Sequence, residues 1–308
     1  MKLAKTEAQN PHTRRLDAKN TIEILRLLNR EDAHVAAAVR RELPKIARAV
    51  DAIVKSIRSG GKLVYVGAGT SGRLAVLDAA ECPPTFGTPQ QMVQVIVAGG
   101  ERALRHAIEG AEDSVGRGAR DLAATGINRG DVVVGISASG ETPYVLGAIG
   151  LAKRRGAVTV GVTSNPRSAL ARRSSIAITL DTGPEAIAGS TRMKAGTAQK
   201  MVLNLLSTTA MVRLGRIYDN WMIHVALTNQ KLRRRGERIL EEAAGASPSA
   251  ARHALRQSGH NLPVALIMLL TGAGARDAAR GLEQSGGNVS QALKAAKMQR
   301  VNTRRRGK

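Results

Sequence analysis

The sequence predicts an α/β protein: a parallel sheet with helices on both faces, preceded by an N-terminal helical arm and followed by a small C-terminal helical domain. Three observations predict it. Five short β-branched runs recur along the middle of the chain, helical periodicity separates them, and after Gly215 no strand pattern survives.

The polar residues 1–20 read as an irregular arm. From Thr21 to Ser59 the period is helical. Ile22, Ile24, Leu25, Leu27 and Leu28 form one apolar stripe, and Val35, Ala38, Val39, Leu43 and Ile46 a second that Ala47, Val50 and Ile53 continue. Pro44 marks a break or kink between two helices. Strands follow at Lys62–Val66, Val93–Val97, Asp131–Ile136, Ala157–Val162 and Ser175–Leu180, with helices expected over 72–82, 101–125 and 143–155. Strand–helix alternation implies right-handed crossovers and parallel pairing. A long helix from Thr191 to Leu214 closes this region. Residues 227–298 read as four or five short helices, broken at Ala244-Gly245, Ser258-Gly259, Thr271-Gly272 and Gly286-Gly287, and a basic tail ends the chain. The expected division is an arm over 1–50, a sheet domain over 51–216 and a helical domain over 217–308.

Composition narrows the function. Aromatic residues are 2% of the 308, so the core is built from Ala, Val, Ile and Leu, which suits strands packed between helices. The one cysteine, Cys82, excludes an internal disulfide and a multi-cysteine metal site. No apolar leader follows Met1, and the longest apolar stretch, Leu262–Leu270, is too short for a bilayer; a cytoplasmic location without membrane association is expected. The net charge of +23 favours anionic ligands. A nucleic-acid partner is not expected, because the basic residues are dispersed and few aromatics are available to stack on bases. The six histidines lack metal-ligand spacing and read as surface or packing residues, His224 being the one a partner subunit could bring to a site.

In parallel α/β sheets ligands lie beyond the carboxyl ends of the strands, and three strand ends here carry unusual loops. Gly67-Ala-Gly-Thr-Ser-Gly-Arg73 offers glycine backbone at Gly69, hydroxyls at Thr70 and Ser71, and the N–H groups of a helix start. Alone it is also compatible with a dinucleotide loop or a tight structural turn, although the acidic residue expected after a second strand is absent. Ser137-Ala-Ser-Gly-Glu-Thr142 places Ser137, Ser139 and Thr142 just before Pro143, a favoured first helical residue, and reads as a phosphate cradle without lysine or metal. Gly183–Lys200 combines Ser190 and Thr191 with Arg192, Lys194 and Lys200 between glycines, and reads as a third ligand-facing loop.

These glycine-serine loops resemble the sugar isomerase (SIS) domain family. Gly183–Lys200 is similar to the signature of the subgroup that holds the N-acetylmuramic acid 6-phosphate etherases and the glucokinase regulatory proteins. Leu77-Asp-Ala-Ala-Glu-Cys-Pro-Pro-Thr-Phe-Gly87, Glu109-Gly-Ala-Glu-Asp-Ser114, Asn10-Pro and Leu16-Asp resemble the etherases in particular, and the likeness covers almost the whole chain. One departure is Glu141, where the etherases usually carry arginine. The resemblance implies a carbon–oxygen lyase of cell-wall sugar recycling, acting on a phosphorylated amino sugar; because the sequence holds no metal cluster or dinucleotide fingerprint, activity without metal or cofactor is expected. It also implies a homodimer whose sites are completed by the neighbour.

The implied reaction needs a base that removes the C2 proton of the ring-opened sugar, and an acid for the departing C3 oxygen that then activates water. The resemblance matches Glu81 and Glu112 to the catalytic pair. Glu81 is expected to be the acid, because Pro83 and Pro84 should stop its helix and leave the carboxyl in a partly apolar setting that raises its pKa. Glu112 is expected to be the base. Two alternatives remain: a sugar-phosphate-sensing regulator and an aldose–ketose phosphosugar isomerase.

Overall fold

The computed structural model describes residues 5–296. It divides into two compact units, Met1–Ala80 with Gln90–Ala210, and Glu81–Pro89 with Met211–Lys308.

The first unit opens with three single turns of 3-10 helix at Lys5–Glu7, Pro11–Thr13 and Leu16–Ala18, so the arm is folded rather than irregular. Three helices follow where two were expected: α1 (Thr21–Asp32), α2 (Val35–Arg41) and α3 (Leu43–Arg58). Pro44 does not kink a helix; it sits in the first turn of α3, where its missing N–H costs nothing. The first fifty residues are not a separate domain from the sheet. Ile46, Ala49, Val50 and Ile53 of α3 are buried, and α3 packs on the sheet.

The sheet and its helices run β1 (Leu63–Gly67), α4 (Gly69–Phe86), β2 (Val93–Val97), α5 (Arg102–Arg105), α6 (Val115–Ala124), β3 (Val132–Ile136), α7 (Pro143–Arg154), β4 (Val158–Thr163), α8 (Ala169–Arg173), β5 (Ile176–Thr179) and α9 (Lys194–Arg213). All strands pair in parallel in the order β2-β1-β3-β4-β5, with Leu63 beside both Val93 and Val132. Val64, Val66 and Val133 meet Tyr144, Val145, Ala148 and Ile149 of α7 in a closed apolar layer. The helix expected over 101–125 is absent. It is replaced by α5, which ends where His106 turns extended, an irregular loop, 106–114, in which Gly110 takes φ +68°, and α6.

The second unit contains α10 (Gln230–Ala244), α11 (Pro248–Gln257), α12 (Leu262–Thr271) and α13 (Ala275–Gln284), and residues 289–296 are again helical. Gly245 and Gly272 end their helices at positive φ. Ile239, Leu240, Leu255, Leu266 and Ile267 form its centre. No single helix among the described residues is long and apolar enough to cross a membrane. The expected basic tail lies outside the described residues.

Candidate active site

Strand order 2-1-3-4-5 reverses between β1 and β3, and a crevice at that reversal is where doubly wound sheets take ligands. The two glycine-serine loops flank this point, one leaving β1 and the other leaving β3.

After β1 the chain turns at Gly69, with φ +53°, directly into α4. The N–H groups of Gly69, Thr70 and Ser71 lie in the first turn, where a helix has no acceptors of its own to offer. The Ser71 hydroxyl is buried and donates to Gln199 Oε1 at 2.8 Å, so its proton serves the α4–α9 contact. Thr70 lies against Gly196 of α9.

After β3 the hydroxyls converge. Ser137 Oγ is 2.8 Å from Thr142 Oγ1 and 3.3 Å from Ser139 Oγ. The Gly140 N–H donates to Ser137 Oγ (3.0 Å) and the Glu141 N–H to Ser139 Oγ (3.2 Å). Thr142 is the N-cap of α7 but makes no side-chain cap bond. Three hydroxyls and a helix start without a side-chain cap thus share one small volume. Glu141, the departure noted above, accepts the Ala169 N–H at 2.8 Å and caps α8, so its carboxylate fastens the serine loop to its neighbour.

Glu112 lies in the 106–114 loop. A crevice of about 360 Å³ has Ala68, Gly69, Arg73 and Glu112 in its wall. The Glu112 carbonyl accepts the N–H of Tyr144, in the first turn of α7, at 2.9 Å. Glu112 therefore sits between the loop after β1 and the helix that begins at the serine loop, an arrangement able to pair proton abstraction with phosphate binding.

The Gly183–Lys200 segment is held from below. Glu185 is fully buried and accepts the N–H groups of Lys194 (3.0 Å) and Ala195 (2.9 Å), capping α9; burial pushes its carboxyl up, against these two bonds. The arm lies along the segment: Asn10 Nδ2 donates to Pro184 O, Thr13 Oγ1 to Ala186 O, and the Gly189 N–H to Thr6 O. Arg192 is exposed and Ser190 and Thr191 are partly so, free to face a ligand. Lys194 is not: its side chain is buried and paired with Glu31.

Glu81 departs from expectation in two ways. α4 does not stop at the prolines but runs through Pro83 and Pro84 to Phe86, where the Gly87 N–H closes on Pro83 O at 2.9 Å. Two lost donors in a final turn are offset by burying Cys82 and Phe86 on either side. The Glu81 side chain is also exposed, so the apolar setting expected for it is absent from this chain. Glu81 belongs to the second unit and Glu112 to the first.

Sequence reasoning missed Glu185, Gln199, Tyr144 and the bonds of Arg73. Glu185 stands nine residues before its helix becomes regular, too far for a capping pattern. Gln199, almost wholly buried, bonds Ser71 through its oxygen while its amide nitrogen has no partner, a pairing across 128 positions. Among the described residues no group of three His, Cys, Asp or Glu side chains is placed to hold a metal.

A five-stranded parallel sheet with glycine-serine loops at the β1/β3 reversal defines a SIS-type fold. Residues 115–209 match the SIS domain model and residues 45–153 that of the glucokinase regulatory protein N-terminal SIS domain. A phosphoheptose isomerase from Francisella tularensis superposes with a TM-score of 0.51 at 19% identity, over 63% of this chain and all of that one. N-acetylmuramic acid 6-phosphate etherases match far more closely: 48% identity for that of Actinobacillus pleuropneumoniae serotype 5b, covering 94% of this chain and 95% of the relative. Those of Geobacillus thermodenitrificans (48%) and Yersinia pestis strain Pestoides F (49%) each cover 94% and 98%. The chain belongs to the N-acetylmuramic acid 6-phosphate etherase family.

Proposed function

We propose that the protein cleaves the D-lactyl ether of N-acetylmuramic acid 6-phosphate, as a carbon–oxygen lyase in cell-wall sugar recycling. The observation that supports this most is Glu112, an exposed residue that lines a crevice with the loop after β1 while its backbone carbonyl is held by the first turn of α7. The hydroxyls of Ser137, Ser139 and Thr142 bind the 6-phosphate, and the N–H groups of Gly69, Thr70 and Ser71 approach it from β1. Ser190 and Arg192 contribute from the third loop.

The sugar opens to its aldehyde, which acidifies the C2 proton. Glu112 takes that proton, the C3–oxygen bond breaks, and the departing lactate oxygen accepts a proton from Glu81, leaving a C2=C3 double bond. Glu81, now a carboxylate, takes a proton from water as hydroxide adds at C3, and C2 is reprotonated. The products are N-acetylglucosamine 6-phosphate and D-lactate. The exposure of Glu81 fits an acid that is enclosed only by substrate or by the second subunit of a homodimer. The reaction as written uses no metal or cofactor, and a cytoplasmic site of action suits a phosphorylated substrate.

The test is direct: pure protein incubated with N-acetylmuramic acid 6-phosphate should release D-lactate stoichiometrically with N-acetylglucosamine 6-phosphate. Tight sugar-phosphate binding without lactate release would favour a regulator of the glucokinase-regulatory kind.

A further inference from the structure

We propose that Arg73 is a positioning residue for Glu112, acting through the loop that carries it rather than by touching phosphate. This rests on the reading of Glu112 as the C2 base. A cation directly after a glycine loop is ordinarily taken for an anion ligand, but here backbone carbonyls occupy it. Arg73 Nε lies 3.0 Å from Ala103 O and 3.2 Å from Leu104 O, and Nη2 lies 3.1 Å from His106 O. These carbonyls belong to the end of α5, where a helix leaves its acceptors unpaired. At four residues, α5 is too short to persist unaided. A planar guanidinium, with its donors in a fixed fork, holds these carbonyls in one geometry that the rotatable donors of an ammonium would not impose.

Two more contacts complete the hold. Gly99 sits beneath the loop at φ +87°, where a Cβ would stand 3.0 Å from Ala103 Cβ and 3.3 Å from the Cβ atoms of Ile108 and Ala111. At the far end the Tyr144 N–H fixes the Glu112 carbonyl. Tyr144 itself is fully buried and donates its hydroxyl to Asp121 at 2.7 Å, so that end is anchored in α6 and α7. Glu112 thus has one rigid anchor, and Arg73 supplies the other. Without the guanidinium the entry to the loop is released, and the carboxylate can swing about the Tyr144 bond.

The test compares Arg73→Ala and Arg73→Lys with wild type in three measurements: steady-state lactate release, exchange of the C2 proton in heavy water, and amide hydrogen exchange over residues 103–114. Expected are parallel losses in kcat and C2 exchange of about 10²-fold, the scale for displacing a reacting group by about an ångström. KM should be unchanged, amide exchange over 103–114 faster, and guanidinium ion should partly restore Arg73→Ala. A raised KM with kcat intact would make Arg73 a substrate ligand and overturn the proposal, as would unaltered amide protection. If Arg73→Ala fails to fold, Arg73→Lys carries the same readouts. If the wild type neither exchanges the C2 proton nor releases lactate, the functional reading falls, and the amide measurement still decides whether the clamp exists.

Discussion

Lys194 and Glu31 form an ion pair sealed from solvent, joining the start of α9 to the end of α1 across 163 positions. Burial pushes the Glu31 carboxyl up, but Lys194, Asn10 and His12 all bond it and together hold it below the usual carboxylate range. The pair therefore belongs to the framework of the Gly183–Lys200 segment rather than to its ligand face. Lys194→Met should leave a buried carboxylate and destabilise by about 3–5 kcal/mol, while Glu31→Gln with Lys194→Met should recover much of the loss. A urea-unfolding double-mutant cycle measures the coupling. Unchanged stability with weakened substrate binding in Lys194→Met would return the residue to the ligand.

The two glutamates should fail at different steps. Glu112→Gln should abolish both C2 proton exchange and lactate release, whereas Glu81→Gln should retain exchange and lose release. Each loss should be about 10²–10⁴-fold. Both carboxylates are exposed, so neither change should unfold the protein. Reversed patterns would exchange the roles; wild-type rates in both variants would remove the pair from the mechanism.

Ser139→Ala should weaken phosphate binding by about 1.5–3 kcal/mol, the worth of one hydrogen bond to a charged group, and should appear mainly in KM. The check is to compare phosphorylated with unphosphorylated substrate. The variant should lose its preference for the former, and an unaltered preference would rule the serine loop out as the cradle.

His224 should make the second unit acid-labile. Burial and the nearby Arg216 push its pKa down to about 4, against a bond between Nε2 and Gly287 O. The folded chain resists a proton that the unfolded chain accepts below about 6.5, so stability is complete above that value and drains away as pH falls toward 4. Thermal unfolding at pH 7.5 and pH 5 should show a stability difference for wild type that His224→Gln reduces by roughly 1 kcal/mol, allowing for the partial exposure of the ring. Equal pH dependence in both proteins would show that another group is responsible.

Exhaustive treatment with a chelator should leave lactate release intact, since every proton transfer proposed here is assigned to a carboxylate. Loss of activity that a divalent ion restores would require a metal in the reaction.

The sequence by itself determined what depends on neighbours along the chain. Strand periodicity located β2 at Val93–Val97 to the residue and each other strand to within a residue or two. Glycines and hydroxyls at the ends of β1 and β3 marked the loops that flank the sheet reversal, because backbone turns and helix starts select their residues locally. Tertiary structure alone decided which partner each polar side chain takes. Ser71 gives its proton to Gln199, Lys194 its charge to Glu31, Glu141 its carboxylate to α8 and Arg73 its donors to α5. It also carried α4 through Pro83 and Pro84 and broke the 101–125 segment around Glu112. The physical reason is that a buried donor or charge must find its complement wherever the fold places one, so its role is set by residues far away in the chain.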